Sequence, residues 1–140
     1  MKPYEFLEHT ADAKFRAYGK TLEQAFINCA YAMTDVITDH KKIKPTTEKR
    51  ISVESEDEKA LVYDFLEQFL ILLDTKRFLL AKIEELKIVK NEKFKLTAKA
   101  VGDTKPENYE INIAIKAVTY QEMFIKKEKD KYTIQVIVDI

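Results

Sequence analysis

A period of two keeps returning along this chain, broken twice by a helical period, and that limits the folds open to it. Residues 4–9 alternate, with Tyr4, Phe6 and Glu8 on one side and Glu5, Leu7 and His9 on the other. Residues 13–18 alternate again, setting Ala13, Phe15 and Ala17 against Lys14, Arg16 and Tyr18. A short polar turn, Thr10-Ala11-Asp12, joins the two, and Gly19 closes the pair. Further on, Phe94, Leu96, Ala98 and Ala100 alternate with Lys95, Thr97 and Lys99, while Ile111, Ile113 and Ile115 give the clearest alternation of all. Residues 132–138 place Tyr132, Ile134, Val136 and Val138 on one face. Weaker strand signals stand at Ile51 and Val53, at Leu86 and Ile88, and at Met123 and Ile125. Half-apolar strands of this kind hide their apolar face only by pairing into a sheet that is covered on one side.

Two segments change period. Thr21-Leu22-Glu23-Gln24 has the form of a capping box, and Leu22, Ala25, Phe26, Cys29, Met33, Val36 and Ile37 follow at helical spacing, fading near Thr38-Asp39. Ser55-Glu56-Asp57-Glu58 reads as a second box, opening a helix to about Asp74 that is apolar over most of its circumference. Cys29 on the first apolar face reads as core packing. His40, between Asp39 and Lys41, reads as part of a polar linker, and the charge run 126–131 as a hairpin tip. The order ββαβα followed by several closely spaced strands predicts an α+β fold: a mostly antiparallel sheet packed with two α-helices in a two-layer sandwich. At 140 residues and 46% apolar content the chain suits one domain, residues 1–140.

The rare residues exclude most familiar catalytic apparatus. Two isolated glycines cannot build a phosphate-cradling loop, and Cys29 alone cannot build a cysteine-based zinc site. Neither Ser52 nor Ser55 sits in a nucleophile-elbow sequence. With 24 basic and 24 acidic residues, the chain lacks the charge excess of a general nucleic-acid binder, so direct nucleic-acid contact is expected to be weak. The start Met1-Lys2-Pro3-Tyr4-Glu5 has no leader character, and no apolar run approaches a membrane span, so a cytoplasmic location is expected.

Two places concentrate chemistry. One is Glu8-His9-Thr10-Ala11-Asp12, an imidazole and carboxylates around a tight turn; the other is Val138-Asp139-Ile140, where a strand ends in an Asp beside a terminal carboxylate. If these ends lie together, His9, Asp12, Asp139 and the Ile140 carboxylate form an oxygen-rich cation site. Spacing alone favours plainer roles: a strand histidine, a turn-forming Asp12 and a surface Asp139. Asp35, at the edge of the first helix, and Lys116, near Thr119-Tyr120, are further candidates, one for the same cluster and one for an anionic partner group.

Taken in order, residues 4–12, the helix entry Gly19-Lys20-Thr21-Leu22-Glu23-Gln24-Ala25-Phe26, Ala32-Met33, residues 116–120 and Val138-Asp139-Ile140 resemble the archease family over the whole chain. The resemblance implies an accessory protein rather than an enzyme. Archeases act with the RtcB-type RNA ligase of tRNA splicing, promoting guanylylation of the ligase and multiple turnover. An alternative role is chaperone-like modulation of a tRNA cytosine-5 methyltransferase. It also implies a divalent metal, Ca²⁺, at Asp12 and Asp139, with His9 and the Ile140 carboxylate as neighbours and Asp35 nearby. An imidazole ligand would favour a transition metal; a His9 that only hydrogen-bonds a ligand carboxylate leaves calcium suitable. Many relatives carry His after the Thr-Tyr pair, where this chain has Gln121.

Overall fold

A computed structural model describes residues 1–140. Its elements, in chain order, are β1 (Tyr4–Leu7), β2 (Asp12–Gly19), α1 (Leu22–Ile37), β3 (Thr47–Ser55), α2 (Glu58–Lys76), β4 (Leu79–Lys90), β5 (Phe94–Asp103), β6 (Ala117–Glu128) and β7 (Lys131–Asp139). Every strand pair is antiparallel: β1–β2, β4–β5 and β6–β7 are hairpins, while β2–β7 and β3–β5 join strands distant in sequence. The strands divide between two sheets, a four-stranded β1-β2-β7-β6 and a three-stranded β3-β5-β4. Both helices touch both sheets: α1 packs on β1, β2 and β7 and on β4, and α2 packs on β6 and on β3, β4 and β5. The α+β class follows from the sequence periodicity. The division into two sheets follows from helices that are apolar enough to be covered from both directions.

The caps explain where the helices begin. Thr21 Oγ1 accepts the Gln24 amide at 3.1 Å, but the Gln24 side chain points on to Asn28 rather than back, so only half of the box forms. At α2 the cap is Asp57, which accepts the Ala60 amide at 2.8 Å. Ser55 cannot serve as the cap because its backbone still pairs with Phe94 in the β3–β5 ladder; its hydroxyl donates to Asp64 instead. Arg77, left-handed at φ 57°, ends α2 by returning its amide to Leu72 and Leu73.

Phe15, Phe26, Phe65, Leu61, Leu66, Leu96 and Ile134 are fully buried in one shared core, each contributing on the order of 1.5–3 kcal/mol. Cys29 lies among them, as the apolar spacing predicts. His40 does not sit in a solvated linker: it is buried, stacked on Tyr31 with ring centroids 4.4 Å apart, and its Nδ1 lies 3.1 Å from the Ala81 carbonyl oxygen. The clearest alternation in the chain also fails to become a strand. Residues 110–116 join no strand ladder and form no turn or bend, and Ile111 is 45% exposed. The pairing of β6 with β7 starts only at Ala117, opposite Asp139 at the end of β7, which leaves no neighbouring strand beside the isoleucines. No helix is long and apolar enough to cross a membrane.

Candidate functional site

The β2–β7 register sets Asp12 directly opposite Asp139. The same register sets Phe15 against Val136, and both enter the core. Side chains alternate along a strand, so the two aspartates fall on the other face of the sheet, with Lys14, Arg16 and Gln135. The two ends of the chain therefore meet on the face that the core does not use. Ile140 packs its side chain against the core, which fixes the end of β7 beside Asp139.

His9 completes the group from the turn before β2. Its Nδ1 lies 3.6 Å from Asp12 Oδ2, and its Nε2 lies 3.4 Å from Glu122 Oε2. Glu122 is the member that sequence reading missed. It also accepts from Lys14 Nζ at 3.1 Å. Glu122 belongs to an irregularity in β6, where the ladder to β7 breaks between Thr119 and Phe124 and the Glu122 backbone takes φ 52°. A bulge of this kind turns a side chain out of its expected direction. The strained backbone is tied down: Gln135 Nε2 donates to the Glu122 carbonyl at 2.8 Å, and Arg16 Nε donates to Gln135 Oε1 at 2.8 Å. The sequence holds one faint sign of it, the polar pair Gln121-Glu122 interrupting the alternation ahead of Met123. Gln121 lies in the same bulge, its amide donating to Thr119 Oγ1 at 3.3 Å.

Ala11, in the turn between β1 and β2, is also left-handed, at φ 66°. Of the three non-glycine residues in that region, one is the helix cap Arg77 and the other two flank this cluster. Unfavourable backbone of this sort persists where surrounding contacts fix it, and it concentrates at functional sites.

The electrostatics are uneven. Asp12, Asp139 and Glu122 bring three carboxylates against one lysine. The hydrogen bond from Lys14, and then that from His9, hold the Glu122 carboxyl below its ordinary range. When neutral His9 donates through Nε2 to Glu122, its Nδ1 carries a bare lone pair aimed toward a carboxylate oxygen. That Nδ1 is buried and has no hydrogen-bond partner. Two acceptors facing each other are reconciled by a second ring proton or by a cation between them. On this test the residues suit a cation. No three His, Cys, Asp or Glu side chains converge closely enough to cage one by themselves.

The remaining candidates lie elsewhere. Asp35 accepts from the Tyr4 hydroxyl and, at 3.0 Å, from the His40 amide. Tyr4 shares the core-side face with Ala17, so Asp35 sits on the helix side of the sheet, and no hydrogen bond or ion pair joins it to Asp12 or Asp139. Burial, and then the Asp35 hydrogen bond, push the Tyr4 hydroxyl pKa up. Lys116 is tied to the cluster only through its backbone, whose amide donates to the Asp139 carbonyl at 2.7 Å. Its side chain lines an open cavity of about 580 Å³ beside Glu67 and Asp74 of α2.

The molecule is an antiparallel α+β domain whose acidic, backbone-strained cluster lies on the sheet face opposite the shared core. The Archease protein family matches residues 4–140, and the chain belongs to that family. It is 42% identical over 147 residues to the protein archease of Methanosarcina barkeri, covering 99% of this chain and 97% of the relative. The archease of Pyrococcus abyssi is 41% identical over 143 residues, with both chains covered in full. Among solved structures, protein 1598 of Methanobacterium thermoautotrophicum superposes with a TM-score of 0.88 at 39% identity over the whole of both chains. An archease from Thermotoga maritima, described as a possible chaperone, shares the fold at a TM-score of 0.62 and 18% identity, over 96% of this chain and 94% of its own.

Proposed function

We propose that this protein is a non-catalytic activator of an RtcB-type RNA ligase in tRNA splicing, promoting guanylylation of the ligase and its repeated turnover. Membership of the archease family is what motivates the choice of partner, and one observation supports the site: the orphaned Nδ1 of His9 beside Asp12, across the ladder from Asp139. Asp12 and Asp139, joined by main-chain oxygen at Ile140, would hold a divalent cation, with His9 and Glu122 orienting the group. Carboxylate oxygens of this kind suit Ca²⁺. A bound cation would supply positive charge at an acidic surface. The protein's own residues present that surface: Ala11 and Glu122 are fixed in strained backbone, and Lys14 anchors the Glu122 carboxylate.

The decisive assay uses purified cognate ligase with its RNA and GTP, following guanylylation of the ligase and ligation beyond the first turnover. The wild-type protein is expected to stimulate both. Asp12→Asn and Asp139→Asn are expected to lose most of that stimulation while keeping the fold. Full stimulation by both variants refutes the role given to the cluster, and no stimulation by the wild type refutes the ligase partner. A second reading is chaperone-like, the word used of the Thermotoga relative, and we propose a tRNA cytosine-5 methyltransferase as its client. That role predicts reduced aggregation of the methyltransferase irrespective of Asp12 and Asp139.

A further inference from the structure

Residues 110–116, Glu-Ile-Asn-Ile-Ala-Ile-Lys, form a strand-like segment with one edge open. Two amides point inward: Asn112 donates to the Ile37 carbonyl at 2.7 Å, and Lys116 donates to the Asp139 carbonyl at 2.7 Å. In extended backbone successive amides point to opposite sides, so those of Ile111, Ile113 and Ile115 point away. None of those three makes a backbone hydrogen bond within the chain. The isoleucines they belong to are exposed at 45% and 37% for Ile111 and Ile113, and an apolar groove of about 250 Å³ lined by Ile37, Leu70 and Leu73 runs alongside.

Proteins guard such edges with charges, irregularities or brevity. Each true edge strand here is guarded. β1 has only four residues, and β6 carries the bulge at Glu122. β3 carries Glu48, Lys49, Arg50 and Glu54, and β4 carries Lys82, Glu84, Glu85 and Lys87 with two breaks in register. Between Glu110 and Lys116 there is no charge and no proline.

We propose that this edge pairs with the same edge of a second copy of the chain, making an antiparallel two-fold dimer centred on Ile113. A two-fold contact must be self-complementary, and this segment is. With Ile113 opposite its own copy, Ile111 falls opposite Ile115, and Glu110 falls opposite Lys116 at both ends. The parity also fits. The outward amides and carbonyls of residues 111, 113 and 115 are those that exchange hydrogen bonds in this register.

Sedimentation velocity over a wide concentration range tests the proposal, with circular dichroism confirming that each variant is folded. The wild type is expected to self-associate reversibly. Ile113→Pro removes the central outward donor and is expected to leave only monomer. Glu110→Lys and Lys116→Glu each place like charges together at both ends and should weaken association about tenfold. The double exchange, Glu110→Lys with Lys116→Glu, restores opposite pairs and should recover the wild-type constant. A wild type that stays monomeric at every concentration overturns the proposal and gives this edge to a different chain. A dimer that survives Ile113→Pro, or single reversals that the double exchange does not rescue, overturns it equally.

Discussion

The Asp12–Asp139 pair makes an unusual prediction about stability: one substitution should change sign with the cation. The two carboxylates are direct cross-strand partners on the same face. Partners of that kind have Cβ atoms about 4.5–5.5 Å apart, and like charges there cost roughly 0.2–1 kcal/mol. In a chelator Asp139→Asn removes the repulsion while keeping size and hydrogen-bonding capacity. It should therefore gain about that much stability, which for a domain of this size raises Tm by roughly 1–4 °C. With Ca²⁺ at one hundred times its Kd the wild type should gain about 2.7 kcal/mol, near 10 °C in Tm, because only the folded state assembles the site. Asp139→Asn should lose nearly all of that gain and fall below the wild type. Thermal unfolding followed by circular dichroism, with matched chelator and calcium series, reads both limbs. If Asp139→Asn keeps the calcium shift, the cation is not held by this pair. If it is less stable than the wild type in chelator, the carboxylates are not repelling one another and the cluster has been misread.

Three further outcomes bear on the fold. Gly102→Ala should be among the most damaging single changes, at about 2 kcal/mol or more in urea unfolding, because a Cβ there would stand 1.9 Å from the Leu79 carbonyl oxygen; a loss below half of that would mean β4 can move aside. Buried Asp103 accepts from the Tyr109 hydroxyl at 2.6 Å and from Thr46 at 3.1 Å, and the Tyr109 bond first of all lowers its pKa. A folded value below the unfolded one stabilises above about pH 4, and the benefit disappears as pH falls through the folded value. Tyr109→Phe should thus cost about 1–2 kcal/mol at neutral pH and less in acid; an equal loss at pH 7 and pH 2 would count against the linkage. Burial raises the Cys29 thiol pKa, so iodoacetamide should label it only when the chain unfolds, and rapid labelling of the native protein would contradict its place in the core.

Much of this was legible in local pattern. The alternation of residues 13–18 and 132–138 became β2 and β7, and the apolar stripe from Ala25 to Ile37 became the buried side of α1. Asp12 stood out beside a tight turn and Asp139 at a strand end, but spacing favoured plainer roles for both, and only the resemblance to the archease family paired them. Their meeting could not be derived from spacing, since register belongs to the pairing of two strands rather than to either one. Glu122 was illegible for a related reason. Its side chain reaches His9 and Lys14 only because the β6 ladder breaks, and that break is held by Gln135 from the next strand. Asp35 misleads in the opposite direction: helix spacing puts it at an edge, and only packing shows Tyr4 and His40 claiming its carboxylate.

The sequence by itself determined the kinds of element, the faces they bury and the absence of glycine-rich and cysteine-rich chemistry, because those depend on residue type and short-range periodicity. Tertiary structure decided the rest. It chose which strands share a sheet, brought Asp12 and Asp139 together on the face opposite the shared core, and drew Glu122 into the cluster. It also left Ile111, Ile113 and Ile115, the best strand pattern in the chain, with no strand to pair with. A strand pattern states what an edge can do; only the neighbours present in three dimensions decide whether it is done within one chain.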